Sequence, residues 1–282
     1  MTSTTTPKKR FKKRISSLLA GSVVKKVMAN VADKKVREIS NYFPHFFTPK
    51  VAETEAQRNS TFSIRHDVFS EELGLEQRRE TLLESDQFDR YSIHCFLQHR
   101  PTGKLAGTVR VVRPKNENQP LPMQHYLDDG FHDEEISPDD FRQDKIAEIS
   151  RLAVPREFRR KHVKSEYKRR FRSRRSLSNE IQCYPYIAIG LYFTAMSVLL
   201  RNNINHAFIM VEPRLAKSLK FIGFPLEQVG PETDYFGRRA PFYIRVKATP
   251  FKLGKGFNSL FESIDQTLNH QQIAQQIKKR LR

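Results

Sequence analysis

The chain has 282 residues, of which 38% are hydrophobic and 11% aromatic, so it contains enough apolar material for one core of ordinary domain size. The two cysteines, Cys95 and Cys183, exclude a disulfide framework and a four-cysteine zinc site. Since no secretory signal opens the sequence, we expect a reducing, cytoplasmic setting.

The formal net charge of +19 comes from two stretches of the chain. Residues 1–50 carry 12 Lys and Arg against 2 acids, residues 151–180 carry 12 against 3, and the other residues are balanced. A neutral body with two basic attachments is typical of a protein that meets an acidic partner. The same distribution argues against a uniformly basic nucleic-acid binder, and we expect no nucleic-acid partner.

We interpret residues 1–50 as a basic amphipathic N-terminal extension. The basic run Lys8–Arg14 is followed by apolar residues at helical spacing from Ile15 to Val31. Two interpretations stay open, a helix on an anionic membrane surface or a solvated helix that leads into the domain. The prolines and aromatic residues of Asn41–Lys50 predict a linker that packs on the body.

Helices and strands are predicted from the hydrophobic pattern of the remaining chain. The predicted helices are Val51–Leu75, Ile181–Leu200, Pro213–Phe221 and 257–282. The predicted strands are Tyr91–Gln98, Lys104–Val112, Lys145–Val154, Asn205–Val211, Phe224–Val229 and Ala240–Val246. Their order predicts an α/β domain with a mixed sheet covered by helices. Because Ile181–Leu200 contains Gln182, Pro185 and Gly190, we interpret it as a buried helix rather than a membrane span.

The predicted domain covers residues 51–250 and is followed by a polar, helical C-terminal tail at 251–282. It contains a loop insertion at 114–144, rich in Pro, Asn and Asp, and a basic insert at 156–178. The acidic residues of Asp128–Glu135 lack the alternating ligands of a calcium loop, so a solvated surface is the favoured interpretation.

Four motifs lie in the predicted domain: Arg65-x-x-Val68-Phe69 with Leu73-Gly74, Asp86-x-x-Asp89, Gly107-x-x-Arg110, and Glu148-x-Ser150-Arg151-x-x-Val154. In this order they resemble the autoinducer-synthase-like branch of the GNAT acyltransferases. That branch includes acyl-homoserine-lactone synthases, N-acyl amino acid synthases and acyltransferases associated with PEP-CTERM/exosortase systems, the subgroup that the two inserts resemble most. The resemblance implies a GNAT-like mixed, mainly antiparallel sheet flanked by helices, with helical N- and C-terminal extensions.

One position departs from the lactone synthases. Where they usually have Trp after the Leu-Gly pair, this chain has Leu75, and it contains no Trp at all. The resemblance assigns aromatic residues of this region to the enclosure of S-adenosylmethionine. Their loss favours an ordinary amino acid as the acceptor.

The resemblance also implies roles for the residues of the fourth motif. Glu148 is the expected base for the incoming amine, with Arg151 as a second catalytic residue; the alternative is a structural ion pair between Glu148 and Arg151 or Arg110. The acyl-thioester and its pantetheine arm would bind backbone N–H groups of Leu152, Ala153 and Val154.

The other motifs supply the expected acceptor site. Asp86 and Asp89 have the charge to bind an ammonium group, and Arg65 and Arg110 to bind a carboxylate. The alternative for Asp86 and Asp89 is a helix or loop cap, and it applies more strongly to Asp89. Phe69 either lines the acceptor pocket or belongs to the core.

The thioester carrier is predicted from the segment after the fourth motif. Residues 155–161 contain no glycine that would let backbone N–H groups approach the pyrophosphate of coenzyme A. An acidic acyl carrier protein would instead be attracted to Arg159, Arg160, Lys168, Arg169, Arg170, Arg172, Arg174 and Arg175. The alternatives are a disordered basic loop and a nucleic-acid contact.

His94 and Cys95 do not predict a nucleophilic dyad, because neighbours in a strand face opposite ways. No metal site or permanently bound cofactor is expected; the co-substrate is a thioester of acyl carrier protein or coenzyme A. The sequence therefore predicts a cytoplasmic N-acyltransferase, with a peripheral position at the inner face of the membrane left open. The competing hypotheses are a lactone synthase that uses S-adenosylmethionine and a non-catalytic basic module that binds membrane or nucleic acid.

Overall fold

A computed structural model describes residues 33–126, 136–159, 175–234 and 237–280. Its sheet is built from the strands β1 (Phe47–Val51), β2 (Ser92–His99), β3 (Leu105–Val112), β4 (Ile146–Ala153), β5 (His206–Val211), β6 (Leu226–Gln228), β7 (Thr233–Asp234) and β8 (Arg238–Arg245). The order across the sheet is β1-β2-β3-β4-β5-β8-β6, with β7 paired to β8. All described pairings are antiparallel except β4 with β5, which is parallel.

The helices are α1 (33–46), α2 (Glu55–Arg65), α3 (Pro122–Tyr126), α4 (Arg175–Cys183), α5 (Ile187–Arg201), α6 (Pro213–Ile222), α7 (Thr249–Lys252) and α8 (Lys255–Arg280). A π-helix, His66–Glu72, continues α2, and a 3₁₀ turn, Gln87–Tyr91, leads into β2. The prediction of an α/β fold with a mixed, mainly antiparallel sheet flanked by helices is confirmed.

Side chains of alternating strand residues build two hydrophobic clusters, one on each face of the sheet. Ile149 belongs to the larger cluster, which also contains Leu191 of α5 and Leu260 of α8. Ile146, three residues earlier in β4, belongs to the smaller cluster with Met123. The two faces of β4 therefore look into different environments, and Glu148 shares the face of Ile146.

The apolar segment that includes α5 packs inside the protein. Asn179–Arg201 is long and apolar enough to cross a membrane, but 67% of its apolar 18-residue window, which has mean hydropathy 1.6, is buried. Leu191, Phe193 and Met196 have no exposed surface. Burial of these side chains against the sheet and α8 accounts for the apolar sequence, in agreement with the interpretation as a core helix.

The segment Asn41–Lys50, predicted as a linker, instead contains the end of α1 and most of β1. Its aromatic residues Phe43 and Phe47 are core side chains. Pro49 is tolerated because β1 is an edge strand, where a missing N–H disrupts no ladder. The predicted amphipathic residues up to Val31 lie outside the described ranges.

The C-terminal tail is helical, as predicted, but one side of it is apolar. α8 buries Phe257, Leu260, Phe261, Ile264 and Leu268, which follow the i, i+3, i+4, i+7, i+11 pattern of one helix face, in the larger cluster. In the 114–144 segment, Leu121 and Met123 are likewise buried, and residues 127–135 lie outside the described ranges. Both segments therefore contribute side chains to the body of the fold.

Candidate active site

The parallel strands β4 and β5 separate at the centre of the sheet. Their pairing runs from Ile146 opposite His206 to Ile149 opposite Ile209, although both strands continue beyond that point. β4 is bulged there, because Arg110 of β3 faces Ser150 while Thr108 faces Ala153. The separation leaves a gap beside the bulge.

This gap is a cleft of about 230 Å³ that passes between the two strands. Apolar side chains that line it are Phe69, Leu75, Leu152, Tyr192, Met210 and Leu215. Charged residues that line it are Glu76, Arg151, Glu212 and Arg239. A mostly apolar cleft with a few charged groups is the usual form of a small-molecule site.

A network of buried ion pairs adjoins the cleft. Arg65 binds Asp89 through two hydrogen bonds of 2.7 and 3.1 Å and also binds Glu84. Arg110 donates to Asp86 at 2.5 Å and to Asp89 at 2.9 Å. The four predicted acceptor residues Arg65, Asp86, Asp89 and Arg110 are thus brought together, but they bind one another.

Arg65 and Arg110 are each 1% exposed, so their guanidinium groups face protein carboxylates and not the open cleft. The expected role of these two residues in binding an acceptor carboxylate is therefore not supported by the geometry. The cause is electrostatic, since a buried guanidinium requires a paired carboxylate within the protein. Burial alone would raise the pKa of Asp89, but Arg65 and Arg110 outweigh burial and hold that pKa well below its usual range.

Arg151 joins the network at the cleft. Its guanidinium donates to Glu76 at 3.0 Å, to Glu84 at 3.3 Å and to Asp86 at 3.3 Å. The network then contains three guanidinium groups and four carboxylates, which leaves one negative charge in excess. Glu76, which lines the cleft, is 23% exposed, so part of the negative charge of the network is accessible there.

Glu148 lies beside this network and is 3% exposed. Its carboxylate accepts a hydrogen bond of 2.8 Å from the backbone N–H of Met123. Burial raises the pKa of Glu148 to about 7, although the Met123 hydrogen bond and the charges of Arg110 and Arg151 act in the opposite direction. A carboxyl group that titrates near neutrality can take up and return a proton, even though Glu148 is not one of the residues that line the cleft.

The predicted thioester residues lie at the bulge. Leu152 lines the cleft, whereas Ala153 is buried in the core and Val154 packs against it. Phe69 also lines the cleft, with the Arg151 guanidinium 5.9 Å from its ring centre. Its interpretation as a pocket residue agrees with this position.

Most of the predicted carrier-docking surface is outside the described ranges, namely Arg160, Lys168, Arg169, Arg170, Arg172 and Arg174. Arg175 begins α4, and its side chain is not described. Arg159 binds Glu72 at 2.6 Å and the carbonyl oxygen of Val154 at 2.8 Å. Arg159 therefore fixes the start of the basic insert next to the bulge.

His94 and Cys95 face opposite sides of β2, as predicted. Burial lowers the pKa of His94 to about 4 and raises the pKa of Cys95 to about 12, so both are neutral near pH 7. Within the described ranges, no group of three or more His, Cys, Asp or Glu side chains is arranged to hold a metal ion.

Sequence reasoning missed Glu76, Glu84 and Arg239. Glu84 precedes Asp86 by two residues, so an extended acidic motif from Glu84 to Asp89 would have been a usable signal. Arg239 belongs to β8, far from the motifs along the chain, and carries no local signal.

Residues 64–167, which are 104 of the 282, match the acetyltransferase (GNAT) domain family. Together with the sheet, its bulge and the cleft, this match defines the class: the protein is an enzyme with a GNAT-type acyltransferase domain. No curated protein matches the sequence.

The solved structures that are similar to the chain include TofI, LasI and FeeM. TofI, in a ternary complex with an inhibitor and MTA, is 16% identical over 76% of this chain and 99% of TofI, with a TM-score of 0.54. The AHL synthase LasI is 16% identical over 73% of this chain and 94% of LasI, with a TM-score of 0.49. FeeM, an N-acyl amino acid synthase from uncultured soil microbes, is 13% identical over 73% of this chain and 94% of FeeM, with a TM-score of 0.46. At these identities the similarity shows the fold alone.

Proposed function

We propose that this enzyme transfers a fatty acyl group from an acyl-thioester carrier, acyl carrier protein, to the amine of an amino acid or a similar small acceptor. The observation that carries the proposal is the cleft at the β4 bulge, which combines an apolar lining with accessible carboxylates. An acyl chain and a cationic amine need these two environments next to each other.

The reaction needs only a thioester, an amine and a proton acceptor. The amine nitrogen attacks the thioester carbonyl carbon, the C–N bond forms, the C–S bond breaks, and the thiol leaves. Glu148, with its pKa near 7, takes the proton from the amine through water and returns one to the thiolate. Backbone N–H groups after the bulge, at Leu152 to Val154, stabilise the oxyanion.

The acceptor site differs from the one expected from the sequence. The excess negative charge of the network, accessible at Glu76, attracts the ammonium group of the acceptor. Arg239 lines the cleft, and its charge suits a carboxylate on the acceptor. An amino acid is therefore held between the network and β8.

S-adenosylmethionine is a second candidate acceptor, because its net positive charge complements the single excess carboxylate. The TofI structure contains MTA, a thioether that retains the adenosyl part of S-adenosylmethionine. Leu75, an aliphatic residue, lines the cleft here, which favours the amino acid. The PEP-CTERM/exosortase association and the cytoplasmic setting belong to the same proposal, which leaves a peripheral membrane position open.

One assay separates these acceptors. The protein is incubated with acyl carrier protein or coenzyme A thioesters and either an amino acid pool or S-adenosylmethionine, and products are identified by mass spectrometry. We expect a new N-acyl amino acid; an acyl lactone with release of MTA would favour the second candidate.

The same assay tests the role of Glu148. Glu148→Gln should lower turnover by about 100-fold, whereas the exposed control Glu227→Gln should match the parent. No amide with any donor and acceptor would contradict the proposal.

A further inference from the structure

The backbone of β4 adopts an unusual conformation at one residue. Arg151 has φ +51°, in the left-handed region that side chains with a Cβ atom disfavour by about tenfold. Among the described non-glycine residues, Leu82 and Asn203 also have positive φ, but both lie outside strands and helices. Of these three residues, Arg151 is the one that lies inside a strand, at the point where β4 separates from β5.

The side chain of Arg151 is held from outside its own strand. Glu76, Glu84 and Asp86 accept its hydrogen bonds, and all three precede β2 in the chain. Glu84 is itself buried and also binds Arg65. Phe69 of the π-helix lies against the guanidinium. The guanidinium is therefore fixed to the N-terminal part of the domain, independently of the strand ladder.

This anchorage offsets the backbone penalty. An unanchored residue would gain by leaving the left-handed region, and β4 would then resume regular pairing with β3. Regular pairing would remove the extra residue of the bulge and shift Leu152, Ala153 and Val154 by one position along β3. Since the side-chain period of a strand is two residues, a shift by one position turns each side chain to the opposite face of the sheet. Leu152 would then no longer face the cleft.

We propose that Arg151 is a positioning residue: its anchored guanidinium holds the bulge of β4 and so keeps the cleft in shape. This inference assigns to Arg151 a conformational role in place of the catalytic role expected from the sequence. It refines the proposed acyl transfer, but its test includes a measurement that does not depend on that activity.

Glycine and alanine at position 151 separate the backbone role from the charge. Both remove the guanidinium, but glycine adopts positive φ without the steric penalty. We expect Arg151→Gly to keep Thr108 opposite Ala153 in a crystal structure, and Arg151→Ala to lose this register. For any donor and acceptor pair that the enzyme uses as substrates, kcat of the glycine variant should exceed kcat of the alanine variant by about tenfold.

Asn203 supplies the matched control, since it has φ +54° but lies in the turn after α5. Asn203→Gly should be more stable than Asn203→Ala, with the same kcat in both. If loss of the guanidinium prevents folding, the pair is compared in a Glu84→Gln background, which removes one of the carboxylates that lose their Arg151 partner.

An Arg151→Ala variant that keeps the parent register overturns the proposal, whatever its activity. So does equal kcat in the glycine and alanine variants. Absence of acyl transfer in the parent, with the register lost only in Arg151→Ala, would leave this inference supported and contradict the proposed function alone.

Discussion

Arg65 and Asp89 form a bidentate ion pair, with N···O distances of 2.7 and 3.1 Å, in a region that solvent hardly reaches. Arg65 also pairs with Glu84, and Asp89 also pairs with Arg110. Release of either residue to a substrate would therefore leave a buried charge with only part of its compensation. Such a charge is costly, so the pair is structural in the resting protein. The charge type of a residue in a motif therefore does not by itself define a substrate contact.

Removal of Arg65 should accordingly lower stability. We expect Arg65→Ala to reduce the free energy of unfolding by about 3–5 kcal/mol, because Asp89 and Glu84 each lose one buried guanidinium partner. Chemical denaturation measures this loss. The control is Arg78→Ala, whose ion pair with Glu71 is 74% exposed on the arginine side, and its cost should stay below about 1 kcal/mol.

A specific rise in the KM of the acceptor, with unchanged stability, would contradict this prediction. Arg65 would then be a substrate contact, as the sequence resemblance implied. Equal stability losses in Arg65→Ala and Arg78→Ala would also argue against a buried structural pair.

The stability of the protein should depend on pH through Glu148. Burial raises its pKa to about 7 from an ordinary value of 4.5, so the folded state binds this proton more tightly than the unfolded state. Its contribution is complete below about pH 4.5 and is lost as pH rises through 7. The expected loss between pH 5 and 8 is about 3 kcal/mol.

Glu148→Gln removes this titration, so its free energy of unfolding should fall less between pH 5 and 8 than that of the parent. His94 acts in the opposite direction, because its lowered pKa makes the protein less stable below pH 6.5. That effect is present in both proteins and cancels in the comparison. Parallel stability curves for parent and variant would contradict the assignment.

Much of the site was predictable because its residues lie in strand and motif patterns. Alternation over Ile146–Ala153 placed Glu148 on one face of β4, and burial on that face raises its pKa. The family resemblance and the charge of the side chains assigned Arg65, Asp86 and Asp89 to one site, and the structure brings them into one cluster. Local pattern and motif order thus defined which residues meet.

The partners within that cluster were not predictable from the sequence. A carboxylate suits an ammonium group and a protein guanidinium equally well, and only the fold shows that Arg110 already satisfies Asp86. The linker prediction at Asn41–Lys50 failed because prolines were taken as breaks, whereas Pro49 lies on a sheet edge. Tertiary context decided both cases.

Arg239 is expected to bind the carboxylate of the acceptor. Arg239→Gln should raise the KM for an amino acid by about tenfold or more, the value of a charge-assisted hydrogen bond. The KM for the corresponding amine without a carboxylate should change little. Steady-state kinetics with the two acceptors measure the difference.

The neighbouring Arg238 is a matched control, since it is 80% exposed and pairs with Glu232. Arg238→Gln should leave both KM values at the parent level. An equal rise for the amine and the amino acid in Arg239→Gln would mean that Arg239 shapes the cleft and does not recognise the carboxylate.

The basic insert should govern use of a protein-bound donor. Its nine net positive charges in residues 151–180 attract an acidic carrier protein, and such attraction is screened over about 10 Å at 0.1 M salt. kcat/KM for acyl carrier protein thioesters should therefore fall steeply with rising salt. At low salt, a variant with five insert arginines changed to glutamine should show most of the same loss; these are Arg169, Arg170, Arg172, Arg174 and Arg175.

A short acyl-pantetheine thioester separates docking from chemistry, because it has no acidic protein surface. The variant with five substituted insert arginines should use this thioester nearly as well as the parent does. The control for net charge changes five exposed cations elsewhere to glutamine, namely Lys115, Arg142, Arg238, Lys247 and Lys278, and should retain the parent's use of the carrier protein. Equal losses in the two variants would show that only overall charge matters.

Two results would contradict docking of acyl carrier protein on the insert. In one, the insert variant uses acyl carrier protein as well as the parent does; in the other, acyl-coenzyme A is the better donor for both proteins. The insert would then serve another anionic partner, and binding to vesicles that contain anionic lipid is the next measurement.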